Sequence, residues 1–125
     1  MDTNDKIYIV VILTIVILGC AKKQQPGEVF LDSFYSHTGI KVLSEDIKVV
    51  DYEKNYSKGD HVESIKVEID SVKLEIILSE LINESVVEKV NDSVYQFVSS
   101  ENQAQNTIIL FYPKRRTIKL TEVNL

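Results

Sequence analysis

Residues 64–81 read SIKVEIDSVKLEIILSEL, and the period of the apolar residues changes inside that stretch. Ile65, Val67 and Ile69 alternate with Lys66, Glu68 and Asp70. Successive side chains of a strand point to opposite faces, so this alternation describes a strand with one buried side. From Leu74 onward the apolar positions are Leu74, Ile77, Leu78 and Leu81, the i, i+3, i+4, i+7 spacing that lines one stripe of a helix. Asp70 or Ser71 stands where a side-chain oxygen accepts a free backbone N–H of the first turn. The order predicts a helix that covers one face of a sheet, with its stripe against Ile65, Val67 and Ile69.

The flanks extend this pattern. In DIKVVDYEKNYSKGDHVESIKVEID, residues 46–70, Ile47 and Val49 share a side and the middle, KNYSKGD, is polar and contains Gly59. Two antiparallel strands joined by a polar loop fit that composition. Upstream, Phe30, Leu31, Phe34 and Tyr35 recur at helical spacing and Gly39 supplies a residue suited to the left-handed conformation at a helix end. Downstream of Leu81, ESVVEKVND is expected to extend the helix or add a turn, packed through Val86, Val87 and Val90. Ser93–Ser99 and Thr107–Tyr112 read as strands separated by the polar loop SSENQAQN. Pro113 ends the second of these because it has no N–H for a ladder. Lys114, Arg115 and Arg116 form a tight charged turn, and a last strand places Ile118 and Leu120 on one side, Lys119 and Thr121 on the other. Short connections favour antiparallel neighbours. The expected fold class is therefore α+β, a small antiparallel sheet covered on one face by a helix.

The amino terminus sets an address. Residues 7–18 are apolar apart from Thr14, a length suited to the hydrophobic region of a secretory signal and short of the roughly 17–25 residues of a membrane span. The run ends in Ile17-Leu18-Gly19-Cys20, which resembles the lipobox of bacterial lipoproteins. The resemblance implies that the Cys20 thiol receives diacylglycerol, that a peptidase cuts before it, and that the new amino terminus is acylated. Two or three chains anchor stably where one binds only marginally. Cys20 is the only cysteine, so the exported part holds together without a disulfide. Residues 1–19 then form the signal peptide, 20–27 the lipidated cysteine with a polar tether broken by Pro26-Gly27, and 28–125 a single small α+β domain. Ala21, in place of an Asp, implies the outer membrane of a diderm cell, or the outer face of the single membrane of a monoderm; either way the domain lies outside the cytoplasm. The remainder loosely resembles small uncharacterised bacterial lipoproteins at Thr38-Gly39-Ile40 and at Phe111-Tyr112-Pro113-Lys114, a resemblance that brings no activity with it.

Composition narrows the function. Loss of residues 1–19 removes Asp2, Asp5 and Lys6 from 19 acidic and 14 basic residues, leaving 17 and 13 in a chain of 106. That length supports one core, and the acidic balance disfavours nucleic acid. The two histidines, His37 and His61, have no second histidine at ligand spacing; Asp60 adjoins His61, and Asp51 is placed across the hairpin. Ser33 and His37 are i, i+4 on the first helix, with no orienting acid or oxyanion donor identifiable. Neither a G-x-S-x-G elbow nor a glycine-rich phosphate loop occurs. Glu63, Glu68, Glu75 and Glu80 read as solvated, and Tyr95 and Tyr112 as partial core. Tyr52 and Tyr56, near Lys54 and Lys58 in the polar loop, join His61 and the turn Lys114, Arg115 and Arg116 as the candidate recognition surface. The expectation is a non-enzymatic, membrane-tethered binding or envelope-accessory lipoprotein, held by membrane lipid through Cys20, with a protein partner and no cofactor or metal. The alternative is an inhibitor or immunity-type lipoprotein against an exported enzyme or toxin, followed by a small hydrolase.

Overall fold

A computed structural model describes residues 24–57, 59–102 and 105–124. Residues 1–23, which include the expected signal peptide, Cys20 and the start of the expected tether, lie outside the described residues. Among the described residues, two helices, α1 (Pro26–Thr38) and α2 (Ser71–Asn83), accompany six strands: β1 (Ile47–Ser57), β2 (Asp60–Ile69), β3 (Glu88–Asn91), β4 (Val94–Asn102), β5 (Gln105–Tyr112) and β6 (Thr117–Asn124). The strands form one sheet in the order β1-β2-β6-β5-β4-β3, antiparallel throughout. This is the α+β architecture expected from the change of period at residue 70.

The core lies on the helix side of the sheet. Ile65, Val67 and Ile69 of β2 are buried with Ile109 and Phe111 of β5, Ile118 and Leu120 of β6, and Phe97 of β4. The α2 stripe, Leu74, Ile77, Leu78 and Leu81, belongs to the same cluster. Asp70 is the N-cap of α2, its carboxylate accepting from the N–H of Val72 at 3.1 Å and of Lys73 at 3.3 Å. The cover is shared, however: α1 sinks Phe30 and Phe34 fully into the core, with Phe34 stacked on Phe30 and edge-on to Phe111. Pro26 and Gly27, expected as a break in the tether, instead open α1, since proline at the first helical position sacrifices only an N–H that has no partner anyway. Gly39, at φ 74°, closes it and donates its N–H to Tyr35 O at 2.8 Å.

Three expectations are corrected. The segment after α2 does not continue the helix: Ser85 adopts φ 59°, the N–H groups of Ser85 and Val86 close on Ile82 O and Leu81 O, and residues 88–91 pair as the short edge strand β3. Only Val87 packs on the core, while Val86 and Val90 are exposed. Most of the polar stretch 99–106, expected as a loop, is strand: β4 runs to Asn102 and β5 begins at Gln105. The polar residues 52–57 are likewise strand. A bulge between Val49 and Asp51 inserts Val50, after which Tyr52, Lys54 and Tyr56 take over the side that Ile47 and Val49 began. One extra residue reverses the alternation, and this is why the segment does not read as strand in the sequence.

Candidate functional site

On the helix side of the sheet, cross-strand pairing sets residues in rows. Val49, Val67, Ile118, Phe111 and Tyr95 form one row; Tyr52, Ile65, Leu120, Ile109 and Phe97 form the next. Both are apolar apart from the tyrosines. The following rows are polar: Lys54, Glu63, Glu122 and Thr107, then Tyr56, His61, Asn124 and Gln105. The change falls at the same level in β2, β6 and β5. Helix α1 crosses the rows and changes with them. Phe30 and Phe34 lie in the core, whereas Ser33 and His37 reach the polar rows: Ser33 Oγ donates to Glu122 Oε1, and His37 Nε2 pairs with Thr107 Oγ1 at 3.0 Å.

Between this face of α1 and the ends of β5 and β6 lies a cleft of about 420 Å³, lined by Asp32, Ser33, Ser36, His37, Gln105, Asn106, Thr107, Glu122 and Asn124. Its volume falls in the small-molecule range of roughly 300–1,000 Å³. Among the described residues, every lining side chain carries a hydrogen-bonding group and none is Lys or Arg. Gln24 Nε2 donates to Asp32 Oδ2 at 2.5 Å on the rim.

The sheet continues the site sideways. Glu63 is 9% exposed and not solvated as expected; it stands opposite Glu122 across β2–β6. Like charges so placed repel. Lys54 Nζ, 3.6 Å from Glu63 Oε2, and the Tyr52 hydroxyl, donating to the same oxygen at 3.0 Å, offset that repulsion on one side. Ser33 does so on the other. Partial burial of Tyr52 raises its pKa above the ordinary 10.0, and the hydrogen bond to Glu63 and that group's charge push further the same way. Beyond them the Tyr56 ring stacks on His61, centroids 4.6 Å apart at 13°, with Lys54 Nζ 5.4 Å from the Tyr56 centroid. Tyr56 is 68% exposed. His61 Nε2 is buried and has no hydrogen-bond partner among the described residues.

The six candidate recognition residues therefore divide. Tyr52, Tyr56 and His61 gather beside the cleft. Lys114, Arg115 and Arg116 sit in the turn between β5 and β6, where Arg116 O accepts from Ile69 N at 2.9 Å and Arg116 Nη2 lies 3.9 Å from Glu68. From His61 to Glu68 along β2 is about 23 Å at roughly 3.3 Å per residue, so the basic turn is at the far end of the sheet. Asp51 does not meet His61: it pairs with Lys66. Among the described residues, no group of three or more His, Cys, Asp or Glu side chains is arranged to hold a metal. Ser33 and His37 do not pair with each other, so the nucleophile–base contact of acyl-transfer chemistry is not formed.

Glu122, Thr107, Asn124 and Gln105 were not identifiable as site residues in the sequence. The signal they carry is that each continues the buried side of its strand, where an apolar residue is the rule. Fold and site together define an α+β domain with a polar cleft at one end of its sheet. No protein-family model matches the chain, and no curated protein or solved structure does.

Proposed function

We propose that the chain is a lipid-anchored, non-enzymatic binding module, held to a bacterial envelope membrane by Cys20 and offering the cleft between α1 and β5–β6 to a polar ligand. One observation carries the reading: the cleft walls are fixed across the fold by the Ser33–Glu122 and His37–Thr107 hydrogen bonds. Hydrogen-bonding groups held in place by rigid elements lose little conformational freedom when a ligand arrives. Those bonds also favour binding over turnover, because the serine hydroxyl and the histidine nitrogen that nucleophilic chemistry would need are each engaged elsewhere. The anchor rests on Ile17-Leu18-Gly19-Cys20.

The two halves are tested separately. Radiolabelled palmitate is expected in the wild-type protein and absent from Cys20→Ala; equal labelling of both refutes the anchor. For the cleft, the full chain in detergent micelles is screened by amide NMR against a library of polar fragments. Hits whose shifts gather on Ser36, His37, Thr107 and Asn124 are expected. A screen with no hit there, or hits confined to Lys114–Arg116, refutes the site.

A further inference from the structure

The composition of the cleft and of its flank names a ligand class; the inference rests on the cleft being the binding site. We propose that the ligand is an uncharged oligosaccharide, hydrogen-bonded within the cleft and stacked on the Tyr56–His61 pair beside it.

An anionic ligand would meet Asp32 and Glu122 with no Lys or Arg among the described lining residues to offset them. An apolar ligand would desolvate the cleft's polar groups without pairing them, and each group left unsatisfied counts against binding. A cationic ligand would meet the same two carboxylates, each with one oxygen already accepting from Gln24 or Ser33, but along the adjoining flank it would also meet the Lys54 ammonium beside Glu63 and Tyr56. What remains is a ligand carrying many neutral donors and acceptors. Sugar hydroxyls do both, and the lining offers matching partners: acceptor-only carboxylates, hydroxyls at Ser36 and Thr107, and the side-chain amide of Asn124.

The aromatic pair supplies the second half. A sugar ring shows an edge of hydroxyls and a face of C–H groups, and the latter needs apolar ring surface. Tyr56 turns one face to His61 yet is 68% exposed, so ring surface of the pair remains open to such a ligand. Pairing sets Tyr56, His61, Asn124 and Gln105 in one row on the same side of the sheet, so the aromatic pair adjoins the cleft floor. Three inter-strand spacings of about 4.8 Å make that row about 14 Å long. That exceeds one sugar ring, so the site fits a short chain better than a monosaccharide.

The test uses the full chain in detergent micelles and a panel of uncharged tetrasaccharides (malto-, cello-, manno-, xylo- and N-acetylchito-), with spermidine as the cationic probe, read by amide NMR and calorimetry. At least one tetrasaccharide is expected to bind with millimolar or better affinity that is unchanged by added salt. Its affinity should fall roughly tenfold in Tyr56→Ala, the value of one stacking contact. It should fall only several-fold in Glu122→Gln, which keeps an acceptor for Ser33. Tyr56 is exposed on the edge strand, so its removal leaves the fold intact, and an unchanged amide spectrum elsewhere verifies this. The proposal is overturned if no tetrasaccharide moves a cleft resonance, if Tyr56→Ala binds as well as wild type, or if spermidine alone occupies the cleft and salt expels it. Polar fragments still binding at the cleft in those cases would leave the binding-module reading standing; silence from fragments and sugars alike would end both.

Discussion

Phe34 ties the stability of the fold to the shape of the cleft, and Phe34→Ala measures that link. The ring is fully buried, lies 5.4 Å from Phe30 at 18°, and meets Phe111 edge-on at 6.2 Å and 69°. Truncating a buried phenylalanine to alanine costs about 3–5 kcal/mol, a figure that already includes the cavity it leaves. Burial arithmetic agrees: roughly 150 Å² of ring surface at about 25 cal/mol per Å² gives about 4 kcal/mol. Against a stability of about 5–15 kcal/mol for a small domain, this is a large fraction of the whole. For a domain of this size each kcal/mol moves Tm by about 4–8 °C, so the expected fall is about 15–30 °C. Urea unfolding of the full chain in mild detergent, followed by far-UV circular dichroism, should show a lower midpoint with an unchanged slope. Phe34→Leu, which keeps most of the volume and loses the aromatic contacts, should cost less than about 1.5 kcal/mol. A loss below about 1 kcal/mol in Phe34→Ala would refute the docking of α1 on the sheet. With it would go the wall that holds Ser33 and His37 in place.

Three further outcomes follow from the geometry. Leu78→Asp places an unpaired carboxylate among buried apolar side chains and should abolish the folded circular-dichroism signal; a cooperative transition near the wild-type midpoint would contradict the position of the α2 stripe. Asp70→Ala removes the acceptor for the N–H groups of Val72 and Lys73 and should cost about 1 kcal/mol in urea unfolding, while Ser71→Ala should cost less. Tyr52 should ionise above pH 10.0 in a near-ultraviolet phenolate titration, and Glu63→Gln should lower the midpoint only in part, because burial, the largest single cause, remains. The raised pKa means that the folded state holds this proton more tightly. The corresponding stabilisation is therefore complete below pH 10.0 and disappears as pH rises through the folded value.

The sequence was legible where a single period persisted. Residues 65–81 show both an alternating run and a helical stripe, so β2, α2 and their shared core could be read directly. Legibility failed where a local event reset the pattern. The Val50 bulge turns Tyr52, Lys54 and Tyr56 to the side opposite the one that simple alternation assigns, and the segment then looks like loop. Ser85 ends α2 without the glycine that usually marks such an end, so β3 looked like more helix. The site was harder still. Taken strand by strand, Glu63 and His61, or Glu122 and Asn124, are only the polar end of a strand. They become a site when β6 is inserted between β2 and β5, a pairing between segments distant in sequence that no local pattern records.

That insertion also explains why the polar end is tolerated. A buried face that turns polar in one strand alone would leave an unsatisfied group beside apolar neighbours, at a cost of about 1–3 kcal/mol. Here β2, β6 and β5 turn polar at the same level, and α1 supplies Ser33 and His37 to meet them. The row containing Glu63, Glu122 and Thr107 is thus half structural: most of its hydrogen bonds join one element to another and fasten the helix to the sheet. The row beyond it, Tyr56, His61, Asn124 and Gln105, lies past the helix's anchoring bonds, with Tyr56 largely exposed. A change in the inner row should therefore register first as lost stability, and a change in the outer row as lost affinity. Thr107→Val and Asn124→Ala separate the two: the first should lower the urea midpoint, the second should leave it unchanged while weakening whatever ligand the cleft holds. The reverse pattern would mean that the cleft is a seam of the fold and that recognition lies elsewhere on the surface.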